Sequence, residues 1–392
     1  MIQFNEDVRK ILEVLNSNGY EAYVVGGAVR NYVLGMTPHD YDITTNATPE
    51  EIIKVFSFTK TILTGIKYGT VTVVYNHQHY EITTYRVDGK YDDNRHPIDV
   101  EFSKTIDNDL KRRDFTVNAL AYNEKLIDQH NGLNDLKNRI IKCIGNPDER
   151  FAEDALRILR AIRFACKLNF TIDLDTKKSI LKNKNLLKNI SIERINSELF
   201  EIFEYRNVNI IEEYFEVFTV VFPFIKLESK NQIINKINNL INNNCDKNLI
   251  YSAFFMELDD NYIIEIIKNY KLSNDLKYLI KFLNFAEISF SDQLNDYRKL
   301  LKKYTKNGII LYIKYHVFNN DKQIKFMNLL EEADKKCNKI KDLEINGNDL
   351  IELGVANEKI GFILNSVLDL VVEDFLENDK KTLIKYVKDI YL

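Results

Sequence analysis

Two short groups of residues near the N-terminus have types and spacing suited to phosphate chemistry. Gly26 and Gly27 follow an apolar, strand-like run at residues 22–25 and precede a helix-like segment. A Gly-Gly turn lets backbone N–H groups approach a phosphate, and the helix N-terminus behind it favours negative charge. Asp40 and Asp42 lie two residues apart, so on a strand both carboxylates point to the same side. Such carboxylates repel each other unless a cation lies between them. Together the two groups indicate metal-assisted nucleotidyl transfer.

A second group supplies positive charge for a triphosphate. Arg112, Arg113 and Asp114 precede an apolar segment, residues 115–121, which we expect to form a helix and which contains Asn118. Guanidinium groups suit triphosphate oxygens, and a carboxylate beside them can orient one of them. The alternative is a basic helix N-terminus held by a local ion pair. Arginines there would oppose the helix dipole, which favours the functional interpretation.

A third group has the types needed to recognise a nucleobase. Residues 148–168 have the pattern of one amphipathic helix, in which Asp154 and Arg157 share a face because they are three residues apart. A carboxylate, as in Asp154, accepts from the amino group of cytosine or adenine. A guanidinium beside it, as in Arg157, donates to the adjacent ring nitrogen of the same base. Uracil and guanine would present a carbonyl to the Asp154 carboxylate, so the pair would select C and A. The alternative is a surface ion pair that contributes a few tenths of a kcal/mol.

Two more arginines continue along this predicted helix. Arg160 and Arg163 follow Arg157 at three-residue steps and so drift round the helix. We therefore expect Arg163 to face nearly opposite Asp154 and to reach phosphate or RNA rather than the same base.

Composition limits the setting in which this chemistry takes place. The 392 residues carry a net charge of −4, and 29% of them are charged, so any basic surface must be local. The four cysteines are far apart and form neither a zinc pattern nor a disulfide framework, as expected in a reducing compartment. The acidic first residues lack an apolar signal core, and no stretch is apolar enough to span a bilayer. These features predict a cytoplasmic protein.

Glycine placement divides the chain. Nine of the 13 glycines lie at or before Gly145, which predicts an α+β head with a mixed sheet and flanking helices, followed by an all-α part. Thr48, Pro49 and Glu51 have the pattern of a helix start with a capping box. In the head we expect a helix at 5–18, strands at 22–25 and 40–44, and a hairpin of strands 69–75 and 79–85 that carries Glu81. Later helices are expected at 191–204, 208–218, 230–242, 261–284 and 294–303, and a last module near Gly347 and Gly354.

In this order, the three groups resemble those of the class II tRNA nucleotidyltransferases, the CCA-adding enzymes, and of their bacterial poly(A) polymerase relatives. Residues 26–30 and 40–42 are similar to the family's catalytic motif, residues 112–121 to its arginine motif, and residues 153–157 to its amino-acid template. Residues 193–198 are similar to the element that buttresses the template. Asn31 departs from the pattern, since the family usually has Asp there.

The resemblance implies a polymerase-β-like catalytic head (1–144), a neck with the nucleotide-selecting helix (145–205), a helical body (206–290) and a helical, tRNA-binding tail (291–392). It implies Mg²⁺-dependent addition of CCA to tRNA 3′ ends from CTP and ATP, with pyrophosphate release and with neither a membrane nor a protein partner. Mg²⁺ would be held by Asp40 and Asp42, with Glu81 as a third catalytic carboxylate or an exposed strand residue. The implied nucleotide-binding residues are Gly26, Gly27, Arg30, Arg112, Arg113, Asp114, Asn118, Glu153, Asp154, Arg157, Arg160 and Arg163.

Related activities remain open. A CC-adding enzyme, an A-adding enzyme and a poly(A) polymerase would share the same chemistry. The segment at residues 86–97 resembles a flexible loop that CC-adding members tend to lack, which argues against CC addition alone. From other classes, a catalytically silent RNA-binding protein would not need the carboxylates. A nucleotidyltransferase acting on small molecules or proteins would not need the base-reading pair.

Overall fold

The computed structural model describes residues 4–38, 40–89, 100–256, 258 and 260–392. The chain divides into two compact units, Met1–Ile234 and Asn235–Leu392. The finer division into head, neck, body and tail stays a prediction. The loop expected at 86–97 lies, from residue 90 onward, outside the described residues.

Most strands of the first unit belong to one mixed sheet. The strands are β1 (Ala22–Val25), β2 (Asp42–Thr45), β3 (Thr61–Ile62), β4 (Thr70–Tyr75), β5 (Gln78–Thr84), β6 (Arg86–Asp88), β7 (Val100–Phe102), β8 (Leu120–Asn123), β9 (Lys125–Asp128), β10 (Ile140–Ile141) and β11 (Thr171–Ile172). Seven of them form a sheet in the order β3-β4-β5-β2-β1-β8-β9. Within it β2 and β5 are parallel, and the other neighbours are antiparallel.

Helices flank this sheet and then make up nearly all of the remaining chain. The first unit contains α1 (Glu6–Ser17), α2 (Gly27–Val33), α3 (Pro49–Val55), α4 (Ile106–Lys111), α5 (Gly132–Asn138), α6 (Pro147–Glu153), α7 (Leu156–Leu168), α8 (Leu174–Asn183), α9 (Ile192–Glu204), α10 (Val208–Glu213) and α11 (Phe215–Val221). Helix α12 (Lys230–Asn242) spans the boundary between the units. No helix in the described part of the chain combines the length and apolar character needed to cross a bilayer.

In its described residues the second unit contains helices joined by loops, and no strands. Its helices are α13 (Lys247–Ser252), α14 (Asp260–Asn269), α15 (Asn274–Phe285), α16 (Leu294–Lys303), α17 (Lys306–His316), α18 (Asn320–Asp334), α19 (Gly347–Glu352), α20 (Asn357–Val372) and α21 (Lys380–Tyr391). The last three enclose an apolar core of their own, with Leu350, Val367 and Leu383 fully buried. This core corresponds to the last module expected around Gly347 and Gly354.

Local sequence signals explain several boundaries. Helix α3 begins with the expected capping box, in which Glu51 N–H donates to Thr48 Oγ1 and Thr48 N–H donates to Glu51. The hairpin of β4 and β5 turns at Asn76 and His77, which both have positive φ. A two-residue turn of this kind matches the twist of antiparallel strands, so the predicted hairpin is confirmed.

Three predicted elements have different boundaries. Strand β2 begins at Asp42, so Asp40 precedes the strand instead of lying on it. The helix expected at 208–218 is two helices that meet at Tyr214. The helix expected at 261–284 is also two, because Lys271 has positive φ and Ser273 caps α15.

Candidate active site

The site begins at the turn between β1 and α2. Gly26 has φ +68° and ψ −126°, a conformation that glycine adopts readily and side-chain-bearing residues avoid. Its N–H donates to the Leu120 carbonyl at 3.0 Å, which ties the turn to β8. A Cβ at this position would lie 3.1 Å from Arg113 Nη1. The backbone conformation therefore favours glycine here, and any side chain would also push the Arg113 guanidinium away by a few tenths of an ångström.

Arg30, on α2, is held by amide oxygens. Its Nη1 donates to Asn118 Oδ1 at 2.5 Å, and its Nε and Nη2 donate to Asn31 Oδ1 at 3.1 and 2.9 Å. The guanidinium carbon lies 5.1 Å from the centre of the Phe164 ring. Burial lowers the pKa of Arg30 to about 10, with Asp114 acting in the opposite direction. Arg30 therefore remains charged at neutral pH, and its bonded acceptors leave that charge uncompensated.

Asp114 joins this group to α7. Its Oδ2 accepts from Nε and Nη2 of Arg160 at 2.9 and 2.7 Å, and its Oδ1 accepts from Asn118 Nδ2 at 3.1 Å and from Phe115 N–H at 2.8 Å. Burial alone would raise the pKa of Asp114, but Arg160 and these hydrogen bonds hold it at about 2. A continuous chain of contacts therefore runs from Arg160 through Asp114 and Asn118 to Arg30.

The backbone around Arg112 and Arg113 differs from the prediction. These arginines follow the C-terminus of α4 instead of preceding a helix, and residues 116–118 form a single 3₁₀ turn before β8. The predicted apolar helix is wrong because its residues complete the sheet beside β1. The argument from an opposing helix dipole is also wrong, since cations are favoured at a helix C-terminus.

A buried carboxylate holds these two arginines. Arg112 donates twice to Oδ1 of Asp109, at 2.9 and 2.7 Å, and Arg113 donates to Oδ2 at 3.1 Å. Asp109 is fully buried, which alone would raise its pKa, but the two guanidinium groups lower it below the usual value. The arrangement fixes the direction of both guanidinium groups before any ligand arrives.

The template segment contains a break that the sequence pattern does not show. Helix α6 ends at Glu153 and α7 begins at Leu156, while Asp154 between them has extended backbone with φ −139° and ψ 103°. The expected single helix is therefore wrong, and Asp154 and Arg157 do not share a helix face. Asp154 Oδ1 accepts from Leu156 N–H at 3.0 Å, so its carboxylate caps the new helix.

Tertiary contacts hold both sides of this break. Arg157, which is buried, donates to Glu153 at 2.6 Å and to the Arg112 carbonyl at 3.1 Å. Arg194 of α9 donates to Asp154 Oδ2 at 2.9 Å. These contacts fix Asp154 and Arg157 independently of helical spacing.

Arg163 also lies differently from its predicted position. It donates to Glu198 of α9 at 2.6 Å, and its guanidinium carbon lies 4.3 Å from the centre of the Phe164 ring. It lines the same cavity as Asp154. The helical spacing from which opposite directions were predicted does not apply, because Asp154 lies between α6 and α7 and not on the helix of Arg163. The predicted contact of Arg163 with phosphate or RNA stays a prediction.

One cavity of about 510 Å³ collects nearly all the predicted nucleotide-binding residues. Glu153 does not line it, since its carboxylate bridges Arg150 and Arg157 at 2.9 and 2.6 Å. The predicted residues that do line the cavity are Gly26, Gly27, Arg30, Asp42, Arg112, Arg113, Asp114, Asn118, Asp154, Arg157, Arg160 and Arg163.

Sequence reasoning missed five lining residues, namely Arg86, Leu156, Phe164, Lys167 and Arg194. Helical spacing could have identified Phe164 and Lys167, which continue the face of α7 that carries Arg160. The family resemblance marks the segments that contain Arg86 and Arg194, residues 86–97 and 193–198. It does not predict that these two side chains line the cavity, because they come from β6 and α9 and reach it through the fold.

The carboxylates lie at a second cavity of about 670 Å³, which Asp40, Asp42 and Glu81 line together. Asp42 and Glu81 are direct partners across the parallel strands β2 and β5. Although the Asp42 side chain is exposed, surrounding protein atoms raise its pKa, with Arg113 lowering it and Asp40 raising it. Asp42 lines both cavities and so joins the arginine-rich space to the acidic one.

The donor set at Asp40 and Asp42 suits a hard divalent cation. Carboxylate oxygens are preferred ligands of Mg²⁺, which typically binds one or two carboxylates plus substrate phosphates. Asp40 is one of the causes that raise the pKa of Asp42, and a cation between the two carboxylates would relieve that repulsion. Among the described residues no three His, Cys, Asp or Glu side chains form a protein-only metal site. The arrangement therefore fits a metal held jointly by protein and substrate.

Families of known proteins match three successive parts of the chain. The poly A polymerase head domain matches residues 22–142, which contain the sheet and both glycines of the turn. The probable RNA- and SrmB-binding site of polymerase A matches residues 169–226, and the putative domain 2 of tRNA nucleotidyltransferase matches residues 244–387. These matches define a nucleotidyltransferase head followed by helical parts of the same class.

Whole-chain relatives identify the family. The CCA-adding enzyme of Ligilactobacillus salivarius is 37% identical over 394 residues, covering 97% of this chain and 95% of that protein. The CCA-adding enzyme of Oceanobacillus iheyensis is 35% identical over 387 residues, covering 96% of this chain and 95% of that protein. The chain therefore belongs to the CCA-adding enzymes, a family of tRNA nucleotidyltransferases.

Solved structures agree with this assignment. The Bacillus stearothermophilus CCA-adding enzyme in complex with CTP is similar with a TM-score of 0.77 and 27% identity, covering 98% of this chain and 96% of that chain. The Thermotoga maritima CCA-adding enzyme complexed with tRNA has the same fold, with a TM-score of 0.76 and 24% identity over 98% of this chain and 96% of that chain. The predicted α+β head followed by an all-α part is confirmed.

Proposed function

We propose that this chain adds C, C and A to the 3′ end of tRNA, using CTP and ATP and releasing pyrophosphate. Its membership of the CCA-adding enzymes supports the reaction, and the arginine-rich cavity beside Asp42 supports its location. The tRNA 3′-hydroxyl attacks the α-phosphate of the bound nucleotide, and pyrophosphate leaves. The protein contributes mainly positioning and charge neutralisation, since it forms no covalent bond in such a transfer.

The triphosphate lies at the Gly26–Gly27 turn, where glycine permits a close approach of the backbone. Arg30 provides a charge that its bonded amide acceptors leave uncompensated. Arg112 and Arg113 add guanidinium groups that Asp109 already orients. Because these groups are held before binding, little ordering is needed when the nucleotide arrives.

Asp154 and Arg157 select the base. The Asp154 carboxylate accepts from the amino group of cytosine or adenine, and Arg157 donates to the adjacent ring nitrogen. Uracil and guanine place a carbonyl oxygen against the carboxylate, which costs about 1–3 kcal/mol per bidentate contact by analogy with groove readout. Glu153 and Arg194 act as positioning residues, since each holds one member of the pair.

Asp40 and Asp42 would hold Mg²⁺, and Glu81 lies beside Asp42 on the neighbouring strand as a further carboxylate. When bound, the metal would supply charge neutralisation for the phosphates and would lower the pKa of the attacking hydroxyl. The side chains at 40 and 42 fix where that charge lies relative to the nucleotide cavity. The proposed location of the protein is the cytoplasm, where a reducing medium would keep its four free cysteines as thiols.

The decisive experiment incubates the protein with Mg²⁺, CTP, ATP and tRNA that lacks its last three nucleotides. Sequencing of the product ends should show CCA. Ends in CC would assign CC addition alone, and long A tracts would assign a poly(A) polymerase. Addition of A to CC-ended tRNA, without any addition to the shortened tRNA, would assign an A-adding enzyme. Absence of any incorporation would refute the proposal. Asp42→Ala should abolish incorporation of both nucleotides, whereas Arg157→Ala should reduce discrimination between CTP and UTP.

A further inference from the structure

Most cations that line the nucleotide cavity are already paired with carboxylates. These pairs orient the guanidinium groups, but they also neutralise part of the charge that a triphosphate would meet. The pairs are Arg112 and Arg113 with Asp109, Arg157 with Glu153, Arg160 with Asp114, Arg163 with Glu198, and Arg194 with Asp154. Arg86 also lines the cavity and donates to the Tyr68 carbonyl.

The other two lining cations, Arg30 and Lys167, differ from this pattern. Arg30 is bonded to the neutral amides of Asn31 and Asn118. Lys167 pairs with no carboxylate within the described part of the chain, and its Nζ lies 5.6 Å from the centre of the Tyr205 ring. An aromatic face attracts an ammonium group but does not cancel its charge. The uncompensated positive charge of these two side chains is thus available to a ligand.

The position of Lys167 along α7 indicates which part of a nucleotide it meets. Arg157 and Lys167 belong to the same helix, and the ten residues between their positions correspond to about 15 Å of helix rise. Both side chains line the cavity. The guanidinium carbon of Arg30, the proposed triphosphate-binding arginine, lies 5.1 Å from the ring centre of Phe164, three residues before Lys167 on α7. A nucleotide whose base lies at Arg157 and whose phosphates lie at Arg30 therefore extends toward Lys167.

The charges around Lys167 agree with this placement. Burial and the charges of Arg30 and Arg163 lower the pKa of Lys167. Glu201 of α9 and Asp40, which precedes β2, act in the opposite direction. Lys167 is thus electrostatically coupled both to the arginine of the Gly-Gly turn and to a carboxylate of the second cavity.

We propose that Lys167 is a further triphosphate-binding residue, whose ammonium group contacts the β- and γ-phosphates that leave as pyrophosphate. The inference rests on the proposed nucleotide cavity. Bound polyphosphate gives Lys167 the counter-charge that the fold withholds from it. The same contact stabilises the charge that develops on the departing pyrophosphate.

A purely structural role for Lys167 has a different signature. Lys167 lies in the last turn of α7, where a cation also interacts favourably with the helix dipole. Loss of that interaction would lower the stability of the protein and would weaken the binding of every ligand of the cavity alike. Loss of a phosphate contact would weaken only ligands that carry the β- and γ-phosphates.

The test compares binding of CTP, CMP and pyrophosphate to the full-length protein by isothermal titration calorimetry. Lys167→Met should weaken the binding of CTP and of pyrophosphate by about tenfold and leave the affinity for CMP unchanged. Lys167→Arg should keep most of the affinity for CTP and pyrophosphate. Lys177→Met is the matched control, because Lys177 also lies over a tyrosine ring, at 5.8 Å from that of Tyr214, but pairs with Glu213 outside the cavity. It should leave all three affinities unchanged.

The outcomes separate this inference from the proposed function. If the unsubstituted protein binds neither CTP nor ATP, the proposed nucleotide cavity is wrong. If it binds CTP and Lys167→Met leaves the ratio of CTP to CMP affinity unchanged, only the role of Lys167 is wrong. An equal loss for CTP and CMP, with a lowered melting temperature, would assign Lys167 a structural role and overturn the inference.

Discussion

Replacing Asp114 with asparagine should both destabilise the protein and loosen its nucleotide cavity. The carboxylate accepts four hydrogen bonds, two from Arg160 and one each from Asn118 and Phe115. Asparagine has a similar shape but only one acceptor oxygen. It would leave either Arg160 or the Asn118 amide without its partner, and the position of Arg30 depends on that amide.

The size of the effect follows from the pKa of Asp114. Its ordinary value of 3.8 falls to about 2 in the folded protein, which corresponds to about 2–3 kcal/mol of stabilisation at neutral pH. Removing one partner of a buried ion pair costs about 3–5 kcal/mol, and partial exposure of Arg160 reduces that figure. We therefore expect Asp114→Asn to lower the free energy of unfolding by about 2–3 kcal/mol at pH 7.

Urea unfolding at a series of pH values measures this difference. Because the pKa is depressed on folding, the stabilisation is complete above about pH 4 and is lost as the pH falls toward about 2. The difference in free energy of unfolding between the unsubstituted protein and Asp114→Asn should thus be constant from pH 7 to 5 and shrink below pH 4. Asp135→Asn is the control, since buried Asp135 accepts from the Thr116 hydroxyl at 2.6 Å, a bond that an amide oxygen can keep. Equal stability of Asp114→Asn and the unsubstituted protein at pH 7 would refute the reasoning.

Three further substitutions test other parts of the site. Gly26→Ala should lower the free energy of thermal unfolding by about 1–3 kcal/mol and raise the KM for CTP. Gly35→Ala is the control, because Gly35 also has positive φ but open space around it, and it should lower that free energy by only about 1 kcal/mol. Equal losses for the two variants would contradict the close-approach argument. Asn31→Asp should stabilise the fold by about 1 kcal/mol and weaken CTP binding several-fold, because a carboxylate would neutralise Arg30. An unchanged affinity for CTP, measured by calorimetry, would contradict this role of the Arg30 charge. Thr48→Ala should lower the free energy of urea unfolding by about 1 kcal/mol with kcat unchanged, since it removes only a helix cap.

Much of the head could be predicted because its signals are local. A capping box at Thr48 and Glu51 needs only the residues of one turn, and the β4–β5 hairpin needs only alternation and a two-residue turn. The Gly26 turn was also predictable, although the close approach of Arg113 to it was not. In each case the residues that determine the conformation lie next to one another in the sequence.

The failures concern contacts made over long distances in the chain. Residues 148–168 contain no glycine, and the hydrophobic spacing continues across Asp154, so nothing local marks the break. The segment after Asp114 has helix-like composition, but it becomes a strand because β1 provides hydrogen-bond partners. Arg194 reaches the cavity through the packing of α9 against α7, which a single sequence does not specify.

The break at Asp154 separates two proposed properties of the site, base selection and metal binding, that could otherwise change only together. The direction of this carboxylate is set by Arg194 and by the ends of α6 and α7, whereas Asp42 is fixed by the sheet. Substitutions at the helix joint can therefore alter the proposed base selection while the proposed metal-binding carboxylates stay in place. In evolutionary terms, nucleotide preference can diverge among descendants of such a protein without an intermediate that has lost its chemistry.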